Sequence, residues 1–137
     1  MAVDPRGLAE CFFDAFNRGA IDEAVTYFAD NCSHHEPVRG RITRPQFKAN
    51  LEGLKRAFPD GKMNVESAVI RGRTVAVEGH FTGTHSGLLS GPNVEFSPTD
   101  RPIKIRFANF FTVERGKIVS HRVYYNQLDV VTQLRLL

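Results

Sequence analysis

The chain has 137 residues, of which 42% are hydrophobic and 24% charged, the balance of an average soluble domain. Its formal net charge is +3, but 18 Lys and Arg are dispersed among 15 Asp and Glu without forming a basic stripe, so no nucleic-acid partner is expected. No apolar run reaches the roughly 20 residues of a membrane helix, residues 1–5 lack the segments of a leader, and Cys11 and Cys32 lack metal-ligand spacing; a soluble, cytoplasmic protein with no metal site and no membrane partner is expected.

Asp4-Pro5 reads as a helix start, a capping carboxylate followed by proline at the first helical position. Leu8, Cys11, Phe12, Ala15 and Phe16 then form one apolar stripe, with Cys11 as a small core residue, and Gly19 ends the helix. A second, short helix carries Ile21, Ala24, Val25 and Phe28. A third begins at Thr43, where Gln46 completes a capping box, and its stripe is Phe47, Leu51, Leu54 and Phe58. Beyond Pro59-Asp60-Gly61 the period changes to 2. Strands are predicted over residues 63–70 and 73–86 around Gly72, and over 103–114 and 117–126 around Arg115-Gly116. A Gly/Pro/Ser/Asn-rich loop spans residues 86–102, and an apolar tail follows Leu128. Helices first and sequential antiparallel strands afterwards predict one α+β domain over residues 1–137.

Alternation sorts the strands into faces. Val75, Val77, Gly79, Phe81, Gly83 and His85 share the apolar face, and His80 points away from it. A two-residue turn at Arg115-Gly116 would group Ile105, Phe107, Asn109, Phe111 and Val113 with Ile118, Ser120, Arg122, Tyr124 and Asn126, an apolar face with polar groups set into it. The opposite face would carry Phe110, His121, Val123 and Tyr125, the expected surface of a homodimer. A bulge in either strand would reverse part of this assignment.

Phe58-Pro59-Asp60, Gly83-Thr84-His85-Ser86-Gly87, Gly116-Lys117-Ile118 and Gln133-Leu134, in this order and spacing, resemble the SnoaL-like polyketide cyclases of the nuclear-transport-factor-2-like superfamily. The resemblance implies a cone-shaped α+β barrel, with three N-terminal helices packed on a curved antiparallel sheet around a pocket for a small hydrophobic or polyketide-like ligand. It further implies a homodimer and a cofactor-free reaction in which a carboxylate on the last strand is the acid/base. Asn126 stands at the position of that aspartate, which an amide cannot replace chemically.

The candidate catalytic residues are therefore His85 and His35, imidazoles that titrate near neutral pH. Consecutive strand residues diverge, so only one of His34 and His35 faces inward. The resemblance favours His35, and the same divergence argues against a His34-His35-Glu36 metal site. The candidate ligand contacts are Tyr124, Asn126, Phe58, Phe81, Phe107, Asn109 and Arg122. Two functions compete: a cyclase or isomerase that removes a proton next to a carbonyl, and a binding homodimer that has lost the catalytic aspartate. A purely structural dimerisation module would leave the buried polar groups without a purpose.

Overall fold

The computed structural model describes residues 4–91 and 93–136; residues 1–3, part of the stretch read as lacking a leader, and Leu137 of the tail lie outside that range. Helix α1 (Pro5–Asn17) starts as its sequence requires, with the Asp4 carboxylate accepting from the Gly7 N–H. Its buried stripe is Leu8, Ala9, Phe12, Phe13, Ala15 and Phe16, wider on the Ala9/Phe13 side than the sequence suggested. That shift leaves Cys11 exposed rather than in the core. Helix α2 (Ile21–Thr26) ends two residues earlier than expected, because Phe28 already belongs to strand β1 (Phe28–Glu36). Strand β2 (Gly40–Ile42) follows, then α3 (Arg44–Ala57), whose capping box between Thr43 and Gln46 is formed in both directions. Among the described residues, no helix is long and apolar enough to cross a membrane.

The two expected hairpins are present as β3 (Lys62–Arg71) with β4 (Thr74–Thr84) and β7 (Pro102–Glu114) with β8 (Lys117–Tyr125). The loop between β4 and β7 holds a small hairpin of its own, β5 (Leu89–Gly91) with β6 (Val94–Phe96), and the C-terminal tail is a helix, α4 (Gln127–Gln133). The main sheet runs β2-β1-β8-β7-β4-β3, antiparallel throughout except where β1 lies parallel to β8. Helices α1 and α3 cover one face, and the core between is largely aromatic: Phe12, Phe13 and Phe16 from α1 meet Phe28, Phe47, Phe58, Phe81, Phe107 and Phe111. Burying such rings is the main driving force for closing the sheet on the helices.

One residue decides which side chains enter that core. Arg115-Gly116 is the two-residue turn expected, with both residues at positive φ and Glu114 facing Lys117. Val113 faces Ile118, but Thr112 faces Ser120, so Val119 is an extra residue and the strand bulges there. Beyond the bulge every side chain of β8 changes face. His121 comes inside, fully buried, opposite Phe111, while Arg122 and Tyr124 turn to the outer face. The assignment of Arg122 and Tyr124 to the interior is therefore reversed, as is that of His121 to the expected dimer surface. Val123 and Tyr125 follow His121 to the inner side, and Tyr125 packs against the core.

Candidate functional site

Four polar side chains are fully or almost fully buried among the described residues: His34, His85, Asn109 and His121. Three of them form one chain. β1 carries His34 inward, and its parallel pairing with β8 sets His34 beside His121. The Nδ1 atoms of these imidazoles lie 3.2 Å apart, and Nε2 of His121 lies 2.7 Å from Oδ1 of Asn109 on β7.

This geometry fixes the protons. The Asn109 oxygen accepts only, so Nε2 of His121 donates to it. A neutral His121 then has a bare Nδ1, which accepts from the Nδ1–H of His34. Nε2 of His34 is left as a lone pair with no partner, buried from solvent. An unpaired acceptor of this kind costs about 1–3 kcal/mol. The His34 ring is packed among aromatics: it stacks on Phe47 at 4.3 Å between centroids and tilts against Phe28 at 5.1 Å. His121 lies flat on Phe111 at 4.7 Å and edge-on to Phe12 and Phe47. Burial, aided by the Arg44 cation, pulls the His34 pKa down to about 4, and burial beside His34 pulls that of His121 well below the ordinary imidazole value. Both rings are neutral at pH 7.

His85 occupies the other end of α3, against Phe58. Phe47 and Phe58 are eleven residues apart, so roughly 16 Å of helix separates the two sites. Alternation along β4 placed His85 inward correctly, and it is fully buried. The Thr99 backbone N–H donates to its Nδ1 at 3.2 Å, with the Thr99 hydroxyl at 3.0 Å. Its Nε2 therefore carries the proton and has no partner. Burial lowers its pKa as well.

The remaining candidates divide. Phe58, Phe81, Phe107 and Asn109 are buried in the interior, as their strand and helix positions require. His35 is exposed and His34 faces inward, the reverse of the expected choice: the register that pairs His34 with His121 sends its neighbour outward. Asn126 is neither on the sheet nor buried. It is exposed and caps α4, accepting from the Leu128 N–H at 2.9 Å, because β8 ends at Tyr125. Tyr124 is 53% exposed, packed edge-on to Phe110, with the Arg122 guanidinium over the same Phe110 ring. Two concavities among the described residues are lined by neither His34 nor His85. One, of about 150 Å³, runs between α1 and β3 at Phe13, Val65 and Ala68; the other, of about 330 Å³, is a shallow depression on the outer sheet face at Glu78, Arg106, Tyr124 and Asn126.

The chain's sequence matches the model of the SnoaL-like polyketide cyclase family over residues 7–134. No curated protein matches it by sequence. Its fold is similar to that of AclR from Streptomyces galilaeus, a proposed hydroxylase, with TM-score 0.85 at 22% identity over 97% of this chain and 82% of that one. IdmH from Streptomyces antibioticus, a proposed polyketide cyclase, superposes with TM-score 0.82 at 24% identity over 97% of this chain and 99% of its own. A proposed polyketide cyclase from Xanthomonas campestris does so with TM-score 0.82 at 20% identity over 95% and 96%. At these identities the likeness carries the fold: an α+β cone with a curved, mostly antiparallel sheet.

Proposed function

The chain belongs to the SnoaL-like polyketide cyclase family, and we propose that it is a cofactor-free catalyst that removes a proton next to a carbonyl of a small polyketide-like molecule. The observation that carries this reading is the partnerless, buried Nε2 of His34, a tautomer-fixed lone pair on a ring packed against Phe47 and Phe28. With a pKa of about 4 it has the basicity of an ordinary aspartate, the type of group expected to do this work in the resembling cyclases and missing at Asn126. In the step proposed, Phe47 moves off the buried His34 ring to admit the substrate, the C–H proton passes to Nε2 of His34 and its electron pair moves to the carbonyl oxygen as an enolate. The enolate carbon then attacks a second carbonyl to close the ring, and the alkoxide so formed takes the proton back from the His34 imidazolium, restoring the base. The imidazolium and the enolate neutralise each other where water is excluded, which limits the cost of separating charge. His85 enters only as an N–H donor, since Thr99 already occupies its Nδ1.

The test is turnover of an aromatic polyketide ester with an activated methylene, comparing the parent protein with the His34→Gln variant. Ring closure by the parent and its loss in the variant support the assignment; equal rates would remove His34 from the chemistry. The second reading, a binding module, is favoured by the lack of any carboxylate among the buried polar residues described. It predicts saturable binding of such an ester with no conversion. We also propose self-association through the outer sheet face around Phe110, Arg122 and Tyr124. Sedimentation of the parent as a dimer, and of Tyr124→Asp as a monomer, is the expected result; a monomeric parent at micromolar concentration would remove this part of the proposal.

A further inference from the structure

We infer that Asn109 is a positioning residue for the buried imidazole pair: its amide oxygen fixes the proton arrangement of His121 and, through it, holds Nε2 of His34 as a bare acceptor. The inference rests on the reading of His34 as the base, and it adds a residue that touches no reacting atom. Asn109 sits in the middle of β7, buried, on the inner face between Phe107 and Phe111, and it faces Val123 across the β7–β8 pair. Its oxygen reaches Nε2 of His121 at 2.7 Å, the shorter of the two contacts in the chain.

Donor and acceptor capacity limits what the pair can do. Each neutral imidazole has one N–H and one lone pair, so two of them joined Nδ1 to Nδ1 allow only two arrangements. In one, protons reside on His121 Nε2 and His34 Nδ1; in the other, on His121 Nδ1 and His34 Nε2. The second places the His34 proton on Nε2 and destroys its ability to accept. An amide oxygen at His121 Nε2 selects the first. The same amide is neutral and cannot take a proton, so the relay ends there and the pair keeps its low basicity. A carboxylate in the same place would select the same arrangement while stabilising an imidazolium. The charged or titratable groups that act on the pair are the Arg44 guanidinium, on α3, which acts on His34, and His34 itself, which acts on His121; α1 presents Phe12, which does not titrate.

The experiment is long-range ¹H–¹⁵N correlation on the ¹⁵N-histidine-labelled protein, which distinguishes a protonated from a bare ring nitrogen. The parent should show His121 protonated at Nε2 and His34 at Nδ1. In Asn109→Leu the acceptor is gone, and a population with His34 protonated at Nε2 should appear, while kcat falls about ten-fold or more with KM little changed. In Asn109→Asp the parent tautomers should persist and the pair should titrate at least about one unit higher, moving the acid limb of turnover by the same amount. A parent with His34 protonated at Nε2, or an Asn109→Leu protein with unchanged tautomers, would overturn the inference. If the Leu variant does not fold, the nearly isosteric Asp variant decides: tautomers kept with a raised pKa support it, and an unmoved pKa overturns it. The expected tautomers in a parent that turns nothing over would uphold the positioning role of Asn109 and refute the enzyme reading instead.

Discussion

His34 and His85 are both buried imidazoles whose Nε2 has no partner, and they sit at opposite ends of α3. What differs is the neighbour at Nδ1. At His85 a backbone N–H from Thr99 occupies that nitrogen, which forces the proton to Nε2 and makes that atom a donor. At His34 the neighbour is a second imidazole with a bare Nδ1, which draws the His34 proton to Nδ1 and leaves Nε2 an acceptor. The surroundings differ in kind too. The His85 backbone is tied to the loop by its N–H to the Arg101 carbonyl and by its own carbonyl to the Asp100 N–H, whereas the His34 chain links three neighbouring strands through side chains alone. Residue type and burial do not set the chemistry of a histidine; the group on its far nitrogen does.

The sharpest way to separate the two ends is His34→Gln against His85→Gln. Removing a positioned base costs about 10²–10⁴ in rate, so His34→Gln should lose that much turnover, while His85→Gln should retain activity within about ten-fold and lower the melting temperature instead. Equal losses in a ring-closure assay would erase the distinction.

Acid should act on both ends, more at His34. Its folded pKa is about 4 against the ordinary 6.5. An unfolded chain takes up a proton as pH falls through 6.5, whereas the folded chain does not until about pH 4. The stability is therefore complete above 6.5 and drains away between 6.5 and 4, by about 3 kcal/mol from His34 alone. His121 and His85 are shifted in the same direction. Urea denaturation at pH 7 and pH 4.5 should show this loss, and His34→Phe should flatten it more than His85→Phe does.

Close backbone packing marks the His85 end. A Cβ on Gly87 would stand 1.9 Å from the Arg56 carbonyl oxygen, backbone against backbone. Gly87→Ala should therefore destabilise the protein by about 2 kcal/mol, read by denaturant midpoint, and do so without changing the His34 tautomer. The smallest effect belongs to Asn126→Asp. Both residues cap helices equally well, and the site is exposed. Stability should change by less than about 0.5 kcal/mol, and no ring-closing activity should be gained; a gain would move the chemistry to the end of β8 and away from both histidines.

Local signals in the sequence were sound where one segment suffices to decide the outcome. Asp4-Pro5, the Thr43/Gln46 box and the Arg115-Gly116 turn each act over a few residues, and each is formed as read. Alternation along β4 also held, because β4 pairs with β7 without interruption from Thr74 to Thr84. It therefore placed His85 inside. On β8 the same rule failed at Val119, since nothing in Ile118-Val119-Ser120 distinguishes a bulged strand from a regular one. His121 was lost to the outer face for that reason, and with it the partner that makes His34 rather than His35 the inward residue.

The sequence by itself determined α1 and α3 with their caps, the two long hairpins, the family resemblance and the identity of most core residues, all properties of short stretches with a fixed period. Only the tertiary structure decided the site. His34, Asn109 and His121 lie 75 and 12 residues apart in the chain, and they meet because β1 runs parallel beside β8 while a single extra residue turns His121 inward. Such a meeting depends on the pairing of distant strands, where a shift of one residue exchanges the two faces of a sheet, and no local pattern records that choice.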